Sequence, residues 1–247
     1  MAEVLDPYLD PDTGLLSNLV GARTKADLEA AEGALVFARL VQLVEHPVPA
    51  TGDLDEFRAI HRHLFQDVYA WAGQLRTVDL RKNVDGADFF LPVVMIGRAS
   101  QYAAEELQGD RMLSGLDRER FIERLSYHYD QWNYLHPFRE GNGRTQRVFW
   151  NRIAADAGWQ LDWRGVQGAV NDAACRAASD KREFGPLRAM FDQVVHPIAA
   201  HSPATRVEKL GFRPVQAPTA PSPARPDSTT AGPESRTGKD PRSGLGV

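Results

Sequence analysis

The chain has 247 residues, of which 43% are hydrophobic and 25% charged, so it is long enough to bury one sizeable core at the composition of an ordinary enzyme. The net charge of −4 gives no support for a nucleic-acid partner, and the single cysteine, Cys175, rules out an internal disulfide and a cysteine-based metal cluster. No stretch is apolar over the length that spans a membrane, and the acidic amino terminus lacks the basic and apolar regions of a signal peptide. We therefore expect a cytoplasmic protein that binds neither nucleic acid nor membrane.

Helical periodicity dominates the first part of the chain. Apolar residues at spacings of three to five predict an amphipathic helix over residues 25–45. Asp53 predicts the start of a second helix that has apolar residues along one face. His61 and His63 of this helix point in different directions, which argues against a joint metal site.

A β-hairpin is predicted after the second helix. Strand-like runs over residues 77–80 and 87–91 flank Asn83-Val84-Asp85-Gly86, and an Asp-Gly pair is typical of a hairpin turn. The first arm consists of Thr77, Val78, Asp79 and Leu80. Beyond it, Lys82 could face an acidic target or a nucleotide, whereas Arg81 is better read as solvated surface charge.

The next predicted helix carries the chain to a turn. Asp117 can cap its start, and it should end at Leu135 because Pro137 biases His136 away from the α region. The imidazole of His136 is then left at a turn. A following helix is predicted to end at Gly158.

The run after this turn is the most informative part of the sequence. It reads His136-Pro137-Phe138-Arg139-Glu140-Gly141-Asn142-Gly143-Arg144-Thr145-Gln146-Arg147. Gly141 and Gly143 permit a tight backbone around Asn142, and the chain then enters a helix whose first N–H groups and positive dipole end face the turn. We expect an anion to bind there.

The chemistry of the run indicates a triphosphate as that anion. Arg144 and Arg147 are three residues apart, so they share a helix face and can both reach phosphate oxygens. Glu140, beside bound phosphates, most naturally holds Mg²⁺. His136 has the right pKa range for a general base near neutrality, and no serine or cysteine nucleophile is needed if the attacking hydroxyl belongs to the substrate. Phe138 is expected to pack beneath the loop.

The run resembles the Fic family, whose signature HPFx[D/E]GNGRxxR it matches at all nine specified positions. The segment over residues 60–76 resembles the helix and WAGxxR stretch that these proteins carry upstream, and residues 8–18 resemble the entry to their domain. The resemblance covers roughly residues 7–195.

The resemblance implies a mostly α fold, a Fic-like helical bundle whose hairpin forms a flap that holds the target by backbone pairing. It also implies transfer of AMP from ATP to a Tyr, Thr or Ser hydroxyl of another protein. His136 would deprotonate that hydroxyl and Glu140 would bind Mg²⁺. Asn142 and neighbouring backbone amides would cradle the α-phosphate, while Arg144 and Arg147 would hold the β- and γ-phosphates.

Regulation by a partner is also suggested. Many Fic proteins are restrained by a helix that bears [S/T]xxxE[G/N], and this chain has no complete match: Ser179 to Glu183 is followed by Phe184. The absence suggests an inhibitor supplied by a small antitoxin-like protein, so that the chain would be the toxin of a toxin-antitoxin pair. A degenerate internal motif is the alternative. Two alternatives stay open. One is a protein kinase like the Doc toxins, which carry lysine where this chain has Gly143; the other is a non-catalytic nucleotide- or protein-binding module.

The composition changes at about Ser202. Beyond it, prolines alternate with serine, threonine, alanine, glycine and arginine, and such a segment buries too little to fold. We therefore predict a Fic-like domain over residues 1–201, with its signature core at about 54–159, and a flexible tail over residues 202–247.

Overall fold

A computed structural model describes residues 6–81, 89–198 and 208–211, which form seven α-helices and one two-stranded sheet. The helices are α1 (Lys25–Glu45), α2 (Leu54–Phe65), α3 (Ile96–Gly109), α4 (Arg118–Leu135), α5 (Asn142–Asp156), α6 (Gly168–Lys181) and α7 (Gly185–Val194). The strands are β1 (Trp159–Leu161) and β2 (Val195–Pro197). This mostly helical architecture confirms the predicted fold class. None of the helices in the described residues is long and apolar enough to cross a bilayer.

Local capping explains where the predicted helices begin. The carboxylate of Asp53 accepts hydrogen bonds from the amides of Asp55 and Glu56 at 3.0 and 3.2 Å, and Asp117 accepts one from Arg120 at 2.9 Å. These side chains satisfy N–H groups that have no partner within a helix. Both predicted starts are therefore confirmed.

The core that carries the motif is aromatic. Phe57 of α2 lies 4.9 Å from Trp132 of α4, 5.4 Å from Phe149 of α5 and 5.7 Å from Phe138, measured between ring centroids. All four rings are buried. The motif loop is thus anchored through Phe138 to the place where three helices meet, as predicted.

A buried ion pair fixes α5 against α2. Glu56 is 1% exposed and accepts hydrogen bonds from Nε and Nη2 of Arg152 at 2.8 and 2.6 Å, and from the amide of Gly52 at 2.7 Å. Removing one partner from such a pair leaves a buried charge without compensation, at a cost of about 3–5 kcal/mol. The pair therefore restricts how far α5, which begins in the motif, can shift.

The sheet was not predicted from the sequence. β1 and β2 pair antiparallel with Gln160 opposite His196, and the amide of Asp162 extends the pairing to the carbonyl of Val194 at 2.9 Å. Strands of three residues are too short to show a two-residue period.

The arms of the predicted hairpin do meet. Arg81 and Phe89 form an antiparallel bridge, and the amide of Phe90 donates to the carbonyl of Leu80 at 2.9 Å. The guanidinium of Arg81 lies 4.6 Å from the centroid of the Phe89 ring, so this charge is stacked on the opposite arm. Lys82 and the Asp85-Gly86 turn lie outside the described residues.

Residues 208–211 pack against the helical domain, although they lie in the segment expected to be a tail. Leu210 is 5% exposed and belongs to the hydrophobic core, and Nζ of Lys209 donates to the side-chain oxygen of Gln160 at 2.6 Å. They belong to the larger of two compact units, Met1–Val215. A local composition shift does not reveal a short buried segment of this kind.

Two truncations should therefore differ. A chain that ends at Val215 should keep the melting temperature of the parent, because the larger unit is left whole. A chain that ends at Val207 loses the burial of Leu210, about 2 kcal/mol, and should melt roughly 4–8 °C lower. Differential scanning calorimetry measures both, and Leu210→Ala in the full chain should reproduce much of the loss. Equal melting temperatures for the two truncations would show that residues 208–211 do not contribute to stability.

Candidate active site

His136 lies at the end of α4 in an unusual backbone conformation. It is the C-cap residue, with φ 41° and ψ 59°. It is thus outside the right-handed helix, which Pro137 disfavours, but in the left-handed region and not in the extended one that a following proline favours. This conformation costs a non-glycine residue about 1 kcal/mol or more. Two hydrogen bonds hold it: Nε of Arg76 donates to the carbonyl of His136 at 2.8 Å, and the Arg76 amide donates to the carbonyl of Pro137 at 2.9 Å.

Arg76 ties the hairpin to this turn. Its guanidinium is 0% exposed and also donates to the carbonyls of Val78, at 2.8 Å, and of Leu91, one on each arm of the hairpin. Nη1 lies 3.6 Å from the carboxylate of Asp79. One buried cation therefore joins both arms to the backbone of His136.

The second arm of the hairpin also covers the imidazole. The ring of Phe90 stacks on that of His136, with 3.7 Å between the centroids and 12° between the planes. On the first arm, the amide of Thr77 donates to the hydroxyl of Tyr8 at 3.0 Å. The base of the hairpin is thus held by Tyr8 of the amino-terminal segment and by the imidazole of His136.

The two glycines of the motif differ in whether the backbone and the packing require a glycine. Gly141, the N-cap of α5, has φ 82°, and a Cβ atom there would lie 2.5 Å from the ring of Phe65. Only glycine satisfies both conditions. Gly143 lies in the first turn of α5 with no atom within 4 Å of the Cβ position, so packing does not require a glycine there. Its lack of a side chain leaves the first turn of α5 open to a ligand.

Asn142 shapes the loop through its side chain. Its Oδ1 accepts from the amide of Phe138 at 2.9 Å, and its Nδ2 donates to the carbonyl of Phe138 at 2.8 Å. The side chain is buried and uses both polar atoms in this pair of bonds. Contact between Asn142 and a nucleotide stays a prediction.

His61 supports the loop from below. Its Nδ1 accepts from the amide of Gly73 at 2.8 Å, so the proton is on Nε2, which donates to the carbonyl of Glu140 at 3.0 Å. The ring stacks on Phe138 at 3.8 Å. Burial lowers the pKa of His61 to about 3, so the imidazole is neutral. Sequence reasoning considered His61 only as a metal ligand, and only its place on the apolar face of α2 signals burial.

The two motif arginines contact different neighbours. Nη2 of Arg144 lies 2.5 Å from Glu32 of α1 and 3.3 Å from Glu140. Arg147 lies over the ring of Trp163, 5.2 Å from its centroid, and its Nη1 donates to the carbonyl of Leu210 at 3.3 Å. Both stand at the start of α5, as predicted. That both reach one set of phosphates stays a prediction.

Glu140 is suited to Mg²⁺ and not to a metal that needs several protein ligands. Its side chain is 46% exposed, and its Oε1 accepts from the amide of Gly141 at 2.9 Å. The described residues contain no group of three or more His, Cys, Asp or Glu side chains that could hold a metal ion. A single carboxylate beside phosphates fits Mg²⁺, because this ion keeps several water ligands.

Sequence reasoning missed four residues that shape the site. Glu32 forms an ion pair with Arg144, and Asp6 forms one with motif residue Arg139 at 2.8 Å. Arg76 donates to the backbone carbonyl of His136, and Phe90 stacks on the imidazole of His136. Arg76 was noted only as part of the WAGxxR stretch. Phe90 lies in the second predicted arm of the hairpin, but nothing in the sequence indicates its contact with His136. Glu32 and Asp6 give no signal, because each meets its partner only through folding.

Acid should destabilise the protein partly through His61. The unfolded chain binds a proton at this residue below about pH 6.5, and the folded chain does not until about pH 3. Stability due to His61 is therefore present above pH 6.5 and decreases as the pH falls toward 3, by roughly 1.4 kcal/mol per pH unit in the middle of that window.

Urea unfolding between pH 7 and pH 4 measures this slope. His61→Gln should reduce the slope by about 1.4 kcal/mol per pH unit in the middle of this window, which is the contribution of one proton. The same slope in the His61 variant and the parent would contradict a buried neutral imidazole.

The sequence and the fold are similar to those of known proteins. A sequence model of the Fic/DOC family matches residues 51–154. The chain is 34% identical over 190 residues to the Probable protein adenylyltransferase Fic of Escherichia coli, which covers 77% of this chain and 92% of that protein. It is 40% identical over 162 residues to the Protein adenylyltransferase VbhT of Bartonella schoenbuchensis, covering 66% of this chain and 33% of that one, so it spans about a third of VbhT. The crystal structure of the BepC protein of Bartonella tribocorum with bound AMPPNP has a TM-score of 0.72 at 24% identity, over 78% of this chain and 97% of that chain, and shows the same fold.

Proposed function

The chain belongs to the Fic/DOC family, and we propose that it is a protein adenylyltransferase that moves AMP from ATP to a side-chain hydroxyl of another protein. The names of the relatives support this activity. The single observation that carries it is the position of His136, which is held in a left-handed turn at the start of the loop that leads to the amino terminus of α5. A base and an anion-binding helix end thus adjoin in one loop.

The proposed reaction needs no covalent bond to the enzyme. The hydroxyl oxygen of the target attacks the α-phosphorus of ATP, the bond from that phosphorus to the oxygen bridging to the β-phosphate breaks, and pyrophosphate leaves. His136 accepts the proton of the hydroxyl. Positioning and neutralisation of charge supply most of the rate in reactions of this type.

We assign the nucleotide to the start of α5. The backbone amides over residues 141–143 would bind the α-phosphate, and Asn142 would keep that loop in shape. Arg144 and Arg147 would contact the β- and γ-phosphates. Glu140 would hold Mg²⁺ together with water and phosphate oxygens, and the bound ion would neutralise charge on the leaving pyrophosphate.

We assign the target protein to the hairpin. The first arm, from Thr77 to Leu80, would pair with a strand of the target and bring its Tyr, Thr or Ser hydroxyl to His136. Lys82, outside the described residues, would extend this contact. The anchoring of both arms by Arg76 supports the assignment, because a flap that aligns a target must itself be held.

A regulatory partner is part of the proposal. A small antitoxin-like protein would silence the enzyme by placing a carboxylate on Arg147, which could form a bidentate pair and occupy the space of the γ-phosphate. The support is the sequence, which has no complete inhibitory motif, and the position of Arg147 in the first turns of α5.

A kinase is the alternative enzyme, and Gly143 argues against it. The position has room for a longer side chain, so packing does not exclude the lysine that Doc-like kinases carry. Gly143 therefore differs from the lysine of Doc-like kinases in the chemical group at this position and not in the space available for it. A non-catalytic binding module is the other alternative.

Replacing His136 tests the reaction. His136→Ala should lower transfer by about 10²–10⁴-fold and leave nucleotide affinity unchanged, because the imidazole acts on the incoming hydroxyl and not on the phosphates. Transfer is measured by the label that appears on proteins of a lysate when ATP carries ³²P at the α-position. His46→Ala, at the exposed end of α1, is the control. Unchanged transfer would remove His136 from the mechanism. A γ-label on the target would indicate a kinase, and neither label would indicate a binding module.

Replacing Glu140 tests the metal site. Glu140→Ala should shift the Mg²⁺ concentration that gives half-maximal transfer upward by roughly tenfold, since one oxygen ligand of a site rich in water is lost. Glu105→Ala, on the exposed face of α3, should leave the Mg²⁺ profile unchanged. A profile for Glu140→Ala that overlies that of the parent would assign Glu140 a structural role at the start of α5.

A further inference from the structure

Glu32 is a carboxylate in the middle of α1 whose two oxygens both have partners. Its side chain is 12% exposed. Oε1 lies 2.5 Å from Nη2 of Arg144, and Oε2 accepts a hydrogen bond from the hydroxyl of Tyr69. A carboxylate removed from water in this way needs both contacts to offset its loss of hydration.

Tyr69 fixes this carboxylate from the side of the core. Its ring is 2% exposed and stacks on Trp71, with 4.4 Å between the centroids. The pKa of Tyr69 is raised well above its usual range, mainly by burial and to a smaller extent by the hydrogen bond to Glu32. The hydroxyl therefore stays a donor at all physiological pH values. Glu32 is therefore attached to a rigid part of the molecule.

Arg144 is held at one corner of its guanidinium. In the part of the chain that the structure describes, the hydrogen bonds and ion pairs of Arg144 all use Nη2, which faces Glu32 and Glu140. The flat face lies over the ring of Phe65, 4.7 Å from its centroid. These contacts leave the donors at Nε and Nη1 available to a further anion.

We propose that Glu32, supported by Tyr69, is a positioning residue that orients Arg144 toward the phosphates of the nucleotide. This inference rests on the proposed function, in which Arg144 binds those phosphates. An arginine side chain has several rotatable bonds, and the rotamer entropy of these bonds is lost when the side chain becomes ordered. The contacts with Glu32 and Phe65 order it before the nucleotide arrives, so binding does not bear that cost.

Nucleotide affinity tests the proposal without requiring transfer. Titration calorimetry with AMPPNP and Mg²⁺ gives the Kd of the full chain and its variants. Glu32→Gln keeps the size of the side chain and removes its charge, and should weaken binding about tenfold, because the ion pair that orders Arg144 is lost. Tyr69→Phe should weaken it about threefold, because the carboxylate is then held only by Arg144. Glu29→Gln, at an exposed residue of the same helix, should bind like the parent.

A double-mutant cycle separates positioning from a merely structural role. In an Arg144→Ala background, Glu32→Gln should not change the Kd further, because Glu32 acts through Arg144. A tenfold loss that persists in this background would overturn the proposal, as would an unchanged Kd for Glu32→Gln. Tighter binding by Glu32→Gln would also overturn it and would make Glu32 a competitor of the phosphates.

The titrations, together with the transfer assay with α-labelled ATP, distinguish this proposal from the proposed function. A parent chain that binds AMPPNP and loses affinity on Glu32→Gln, yet transfers no AMP, would contradict the activity and support the positioning role. A parent that binds no nucleotide would overturn both.

Discussion

The structure around the site depends on one buried cation. The guanidinium of Arg76 has no exposed surface, and a charge in that position is tolerated only when acceptors surround it. It donates hydrogen bonds to the carbonyl of His136 in the turn and to the carbonyls of Val78 and Leu91, one on each arm of the hairpin. Because these carbonyls share one donor group, the hairpin and the turn are held in a fixed relation. The left-handed backbone of His136, which is unfavourable by itself, is stabilised by this arrangement.

A second layer of contacts joins the two segments that resemble the Fic family. His61 and Gly73 lie in the upstream segment, and Glu140 and Phe138 in the motif. The neutral imidazole donates to one segment and accepts from the other, which is possible only while its pKa stays below the working pH. The upstream segment therefore has a structural role: it packs against the motif loop and holds it by a hydrogen bond.

The amino-terminal end of α5 combines two kinds of support for its arginines. Arg144 pairs with two carboxylates through Nη2 and also lies over the ring of Phe65, whereas Arg147 lies against Trp163 and a carbonyl of residues 208–211. An ion pair and an aromatic face order a guanidinium in different ways: the first restricts its direction, and the second its plane. Since the buried segment at Leu210 reaches Arg147, the end of the helical domain contributes to the environment of the site.

The sequence by itself determined what depends on neighbours along the chain. Asp53 and Asp117 begin helices because a carboxylate caps the nearest amides, and Pro137 ends α4 because its ring excludes the right-handed conformation at His136. Only the tertiary structure decided which distant side chains meet. The contacts of Arg144 with Glu32 and of Arg147 with Leu210 arise from how α1 and residues 208–211 pack on α5. Such contacts leave no local pattern, because side chains far apart in sequence become neighbours only when the core buries the apolar faces of their helices.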